Sequence, residues 1–154
     1  YGEIEVLWYW MLLRSLFTSM VLWNIYGDNM IVTDDHFIEE DDYIYAGKHL
    51  IVDIYGFDKE YKKFKLLLAK ASQLAGAKLL YAYTHEFDSG GVTGVAVLAE
   101  SHMSFHTWPE RDYIAFDIFM CGDTQPYKAI NYIKKELMAD DVKVKTIKRG
   151  KIAK

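Results

Sequence analysis

The sequence predicts an α+β fold, a two-layer sandwich of an antiparallel sheet covered by helices on one face. Three observations carry this expectation. From Gly47 onward, short segments rich in β-branched and aromatic residues alternate with turn signals. Two longer segments repeat apolar residues at three- and four-residue steps, the period of a helix with one buried face. Between residues 78 and 120 the expected strands follow one another across turns too short for a crossover, so they must be antiparallel.

The elements follow in order. His49–Tyr55 (HLIVDIY) reads as a strand. Asp58 is placed to cap a helix carrying Phe64, Leu67, Leu68, Ala71, Leu74 and Ala75 on one face, with Gly76 as its stop. Lys78–Thr84 is a strand, and Asp88-Ser-Gly-Gly91 a turn. Val92–Ala99 is nearly continuous in apolar residues, as in a strand covered on both faces. His102–Trp108 and Tyr113–Met120 form a further pair across the turn Pro109–Asp112. Gln125–Met138 is helical, with Ala129, Ile130, Ile133 and Leu137 aligned, and Val142–Ile147 alternates as a last strand. The order is β-α-β-β-β-β-α-β. Two helices on one face leave the other face needing cover from a second copy or a second sheet.

The first 46 residues read as an extension to a domain at 47–154. From Val6 to Tyr26 the only charge is Arg14, and the length is close to that of a membrane helix. An arginine so placed would cost about 2.5–3.5 kcal/mol on insertion. No small-residue cleavage site follows, so a signal peptide fits poorly. Upstream translation before Met30 is the favoured reading. An anchor or docking helix, with membrane contact by residues 6–26, is the less favoured one. The acidic stretch 33–45 reads as a solvated connector, and its lack of a glycine-bearing calcium loop argues against a metal site.

Composition narrows the function. At 154 residues, 51% hydrophobic and 26% charged, the chain suits a single globular domain. A net charge of -4 and the lack of arginine-rich runs or zinc-finger spacing argue against nucleic acid as a partner. The lone Cys121 excludes an internal disulfide and makes a reducing, cytoplasmic compartment the natural one.

The chemistry concentrates in Glu100-Ser-His-Met-Ser-Phe-His-Thr-Trp-Pro-Glu110 and Cys121-Gly-Asp123. If Trp108 faces Tyr113 across the turn, counting outward places Ser101 opposite Met120, beside Cys121. A hydroxyl and a thiol then meet at neighbouring strand ends. Ser101 and His106 are five apart and so fall on opposite faces of a regular strand. No Gly-x-Ser-x-Gly elbow surrounds Ser101, and His85, His102 and His106 lack the HExxH spacing of a metal site. Spacing alone leaves an enzyme and a binding module equally open.

The run Gly91–Glu110, together with Gly47-Lys-His-Leu50 and Tyr113–Asp123, strongly resembles the short prokaryotic S-adenosylmethionine decarboxylases, over about residues 47–150. The Glu-Ser-His-x-Ser-x-His-Thr-Trp-Pro-Glu pattern is highly specific. The resemblance implies a pyruvoyl-dependent enzyme that cuts itself between Glu100 and Ser101, giving a β chain that ends at Glu100 and an α chain that begins at residue 101. The cofactor it implies is a pyruvoyl group derived from Ser101, an electron sink for decarboxylation. His106 then corresponds to the processing histidine, and Thr93 to the hydroxyl residue that assists it. Cys121 becomes the proton donor. Phe87 is expected to stack on adenine with Met103 beside it, Trp108 to line the pocket, and Glu110 to accept from the ribose. The implied partners are S-adenosylmethionine and a second cleaved protomer in a homodimer. Asp88-Ser89-Gly90-Gly91 departs from the family, whose members often carry a proline-containing turn there.

The implied reaction makes the aminopropyl donor for spermidine synthesis. Two alternatives stand beside it: a pyruvoyl-dependent arginine or ornithine decarboxylase, and a non-processing regulatory subunit. Phe87 and Glu110 favour the nucleoside substrate, since a small amino acid needs neither stacking nor a ribose acceptor.

Overall fold

A computed structural model describes residues 31–32 and 36–154. The expectations for residues 1–29, the apolar stretch 6–26 and a start at Met30 lie outside the described residues. The chain divides into two compact units, Tyr1–Ile31 and Val32–Lys154, and the strands and helices from Ile38 onward belong to the second.

After the two-residue β1 (Ile31–Val32), β2 (Ile38–Glu40) and β3 (Tyr43–Tyr45) form a hairpin through Asp41, which takes a positive φ of 45°. The stretch expected to be a solvated connector thus contains strands. Ile38 and Tyr45 are almost wholly buried, which anchors the acidic residues between them. The unit that begins at Val32 includes residues 38–45.

The main sheet comprises β4 (Gly47–Tyr55), β5 (Leu79–Glu86), β6 (Val92–Leu98), β7 (His102–Trp108), β8 (Tyr113–Cys121) and β9 (Asp141–Arg149), in the order β5-β6-β7-β8-β4-β9. Its paired strands are antiparallel throughout. The short β10 (Ile152–Ala153) returns to pair with β3 in the smaller sheet. Helices α1 (Phe64–Leu74) and α2 (Pro126–Glu136) cover one face of the main sheet. The α+β two-layer sandwich is therefore the fold.

The helix ends are set locally. Asp58 does not cap α1; its Oδ1 accepts from the Glu60 N–H at 3.0 Å in a turn ahead of the helix. The stop at Gly76 is as expected. Its φ of 77° lets the Gly76 and Ala77 N–H groups reach the carbonyls of Gln73 and Ser72, closing the helix with a left-handed cap. Helix α2 ends two residues before the expected Met138, which itself takes a positive φ of 49° and donates to the Lys135 carbonyl.

The core lies between helices and sheet. Leu67, Leu68 and Ala71 from α1, and Ala129 and Ile133 from α2, are fully buried against Leu50, Ile54, Ile114 and Ile118. Phe105 is sandwiched between Phe64 and Phe116, with ring centroids at 4.9 and 5.1 Å. Gly94 makes this possible, since a Cβ there would overlap the Phe105 ring. With rings on both sides, Phe105 cannot step aside. Gly94→Ala should therefore destabilise the protein by about 1–3 kcal/mol, the usual cost of overpacking. A chemical denaturation midpoint equal to that of the wild type would refute this packing account.

Candidate active site

Strands β6 and β7 are joined by a two-residue reversal at Ala99-Glu100, closed by the Leu98 N–H donating to the Ser101 carbonyl at 3.0 Å. Neither loop residue has a positive φ, so neither of the primed turns usual for such hairpins is used. The register is as expected: Trp108 pairs with Tyr113 and His102 with Phe119. One step further out, the Cys121 N–H donates to Ser101 Oγ at 3.2 Å. The hydroxyl and the thiol-bearing residue do meet at neighbouring strand ends.

Ser101 lines two openings. One is a cleft of about 520 Å³ bounded by Ala46, Glu100, His102, Phe119, Arg149 and Gly150. The other, about 220 Å³, is bordered by His36, Leu98, Glu100, Cys121 and Thr124. Ser101 Oγ is thus held by one backbone donor and bordered by open space, room enough for the group that the serine would become. The residues present fit a pyruvoyl group at this position.

The electrostatics suit proton handling. Burial pushes the Cys121 thiol above its ordinary value, the Ser101 side chain opposes this, and the Glu100 carboxylate adds to it. Burial also lowers the His102 imidazole, helped by His49 and Arg149 against Asp117. His102 and His49 pack edge-on at 6.3 Å, each also packs against Phe119 at 5.5 and 6.0 Å, and the Arg149 guanidinium lies over the Phe119 ring at 5.1 Å.

A second group lies further along β7. Thr93 and His106 are cross-strand partners, with Thr93 Oγ1 2.8 Å from His106 Nδ1. Thr93 Oγ1 is also 3.3 Å from the Phe105 carbonyl, to which it can donate while accepting from the imidazole. At the same end of the sheet, Trp108 stacks on Tyr113 at 5.4 Å, and the Tyr113 hydroxyl donates to Asp53 at 2.6 Å. Phe87 is half exposed beside His85, and Glu110 is exposed in the turn Pro109–Arg111.

The chain does not bring these groups onto Ser101. Five residues of strand separate Ser101 from His106, roughly 16 Å, and seven separate it from Trp108, roughly 23 Å. Met103, expected beside the adenine, is fully buried in the helix-sheet core. Alternation along β7 turns Met103 and Phe105 inward and His102, His106 and Trp108 outward. The sequence reading also missed Arg149, His49 and Asp117. His49 Nε2 lies 3.3 Å from Asp117 Oδ1 on the outer face, two strands that only the sheet order makes neighbours. His36 beside Glu100 had no sequence signal at all. Among the described residues no group of three or more His, Cys, Asp or Glu is arranged to hold a metal.

Comparison with known proteins fits this geometry. Residues 48–150 match the family described as S-adenosylmethionine decarboxylase. The chain belongs to that family. A Synechococcus S-adenosylmethionine decarboxylase proenzyme is 46% identical over 99 residues, covering 61% of this chain and 77% of the relative. A Methanococcus vannielii proenzyme is 45% identical over 109 residues, covering 68% and 89%. The crystal structure of the Aquifex aeolicus adenosylmethionine decarboxylase superposes with a TM-score of 0.64 at 31% identity, covering 71% of this chain and 94% of that one. The Synechococcus and Methanococcus vannielii relatives are both named as proenzymes.

The thiol gives a test by pH. A raised value means that the thiolate appears later as pH climbs. In Ser101→Ala the hydroxyl that opposes the rise is gone. Alkylation of Cys121 by iodoacetamide in that uncut chain should therefore reach its midpoint above pH 9.0, the ordinary thiol value. A midpoint at or below 9.0 would mean that burial does not govern this thiol.

Proposed function

We propose that this protein decarboxylates S-adenosyl-L-methionine to S-adenosyl 3-(methylthio)propylamine, the aminopropyl donor for spermidine synthesis, after cutting itself between Glu100 and Ser101. The observation that carries the reading is the meeting of Ser101 and Cys121 at neighbouring strand ends, beside an open cleft.

In self-cleavage, Ser101 Oγ bonds to the Glu100 carbonyl carbon as the Glu100–Ser101 C–N bond breaks, and the hydroxyl proton passes to the freed amine. A base then takes the residue-101 α-proton, and the Glu100 carboxylate leaves by β-elimination. Water releases ammonia from the remaining dehydroalanine and leaves the pyruvoyl group. We assign the base to His106, oriented by Thr93. A pyruvoyl group at residue 101 would supply a carbonyl for the substrate amine and an electron sink for loss of carbon dioxide. Cys121, kept protonated by burial, returns a proton to the carbon that lost the carboxylate. Phe87 stacks on the adenine, Trp108 walls the pocket, and Glu110 accepts from the ribose hydroxyls.

These roles need two chains. His106 and the nucleoside group lie too far along β7 to serve the Ser101 of their own protomer, and among the described residues no helix covers the sheet face that carries them. That face exposes Tyr81, Tyr83, Val97 and Trp108. We therefore place cleaved protomers in a homodimer, with His106, Thr93, Phe87, Trp108 and Glu110 of one chain acting at Ser101 and Cys121 of the other. Cys121 is unpaired, which suits the cytoplasm as the working compartment. Among the described residues no helix is long and apolar enough to cross a membrane.

Two measurements test this reading. Carbon dioxide release from carboxyl-labelled S-adenosylmethionine should far exceed release from arginine or ornithine, and Ser101→Ala should remain one uncut chain by mass and release none. Cys121→Ala should still cut itself but lose turnover by a factor on the order of 10²–10⁴. Faster release from arginine, or full activity in Ser101→Ala, would sink the assignment. For the shared site, co-expression of Ser101→Ala with His106→Ala chains should restore cutting of the His106→Ala chain, which stays whole when expressed alone. Failure to restore it would place His106 in its own protomer's site, or outside processing.

A further inference from the structure

His36 lies ahead of residues 48–150, the segment that matches the family, and yet it borders the scissile loop. Its Nδ1 is 3.3 Å from Glu100 Oε2. Its carbonyl accepts from the Gly122 N–H at 3.1 Å, which ties it to the turn directly after Cys121. Its φ is 64°, a left-handed conformation that few residues with a side chain adopt. Gly122 lies directly against it, since a Cβ there would stand in ordinary contact with the His36 side chain, 3.6 Å from Nδ1.

Stability does not account for this arrangement. Both side chains are more than half exposed, 57% and 52%, and an ion pair so exposed contributes little to folding. A residue held in a sparsely populated conformation for so small a return points to a role at the site it borders. Its partner is the residue whose carbonyl Ser101 must attack. The Ala99-Glu100 reversal lacks the φ values that usually lock a two-residue hairpin. The Glu100 side chain is the handle by which that carbonyl can be held in place.

We propose that His36 is a positioning residue for self-cleavage. Its imidazole donates to the Glu100 carboxylate, and its backbone is fastened to the Cys121-Gly122 turn, so the scissile carbonyl stays in register with Ser101 Oγ. His36 touches neither bond that changes. It acts through Glu100 while the Oγ–C bond forms and the C–N bond breaks. The inference rests on cleavage at Glu100–Ser101 as proposed above.

The test compares two near-isosteric replacements in the full-length chain. Asn and Asp both tolerate the left-handed backbone. His36→Asn keeps a donor near the Nδ1 position, whereas His36→Asp sets a second carboxylate against Glu100. Self-cleavage is followed by mass after pulsed cell-free synthesis. His36→Asn should cut at close to the wild-type rate, and His36→Asp should be slower by a factor on the order of 10–10², the scale of a lost alignment. In a Glu100→Gln background the gap between the two should shrink, because the acid they address is gone. Thermal midpoints of the two variants, each made uncuttable by Ser101→Ala, should agree. Equal cutting rates for Asn and Asp, an undiminished gap with Glu100→Gln, or a lower midpoint for the Asp variant that accounts for its slowness would each overturn the role of His36 while leaving the cleavage reading intact. A wild-type chain that stays whole, or that cuts elsewhere, would overturn that reading and this inference together.

Discussion

The pairing of β7 with β8 is the constraint on which the rest of the structure depends. It begins at Trp108 opposite Tyr113 and runs without a bulge to His102 opposite Phe119. Because side chains alternate with a period of two, this one register decides which residues face the helices and which face outward. A slip by one residue would push His106 and Trp108 into the core and expel Phe105 from between Phe64 and Phe116. The same register carries Ser101 to the Cys121 N–H. Core and site are therefore set by one ladder of hydrogen bonds, and the left-handed Asp112 that closes the β7–β8 turn helps to pin it.

The two sheet faces do different work. The helix-covered face is close-packed and apolar, so it provides a rigid platform. The other face carries His49, His102, Asp53, Asp117, Tyr55 and Tyr113, hydrogen-bonded, ion-paired or ring-packed among themselves, and His106 against Thr93 and Trp108. Groups on such a face hold their positions because the strands beneath them are fixed, yet they remain open to a partner surface and a substrate. Met103 shows the division well. It stands between two outward-facing residues of a functional motif and belongs wholly to the platform.

Around Ser101, desolvation favours neutral forms. It holds the Cys121 thiol protonated and the His102 imidazole unprotonated, so one group can give a proton and the other can receive one. The Ser101 side chain is the one influence that draws the thiol back down. Conversion of that serine to a pyruvoyl group would remove its hydroxyl. In the cleavage proposed above, the lowering influence of that hydroxyl on Cys121 would be lost with it.

The order of strands and helices was legible in the sequence because apolar periodicity reports burial on one face, as in Phe64, Leu67, Leu68 and Ala71. The Ser101–Cys121 meeting was legible as well, since a short turn between two strands leaves little freedom of register. The family and its chemistry were carried by the local run from Glu100 to Glu110. What sequence could not supply was every contact made across distant segments. Asp58 looked like a helix cap because capping residues and turn residues share the same chemistry. Residues 38–45 looked like a connector because their acidic side chains outnumber the two residues, Ile38 and Tyr45, that bury them in the fold. His36 gave no signal, since its neighbour Glu100 is 64 positions away and the pairing exists only where the chain returns. Burial, register between non-adjacent strands and the placement of a lone polar side chain are properties of the assembled fold, and only the tertiary structure could decide them.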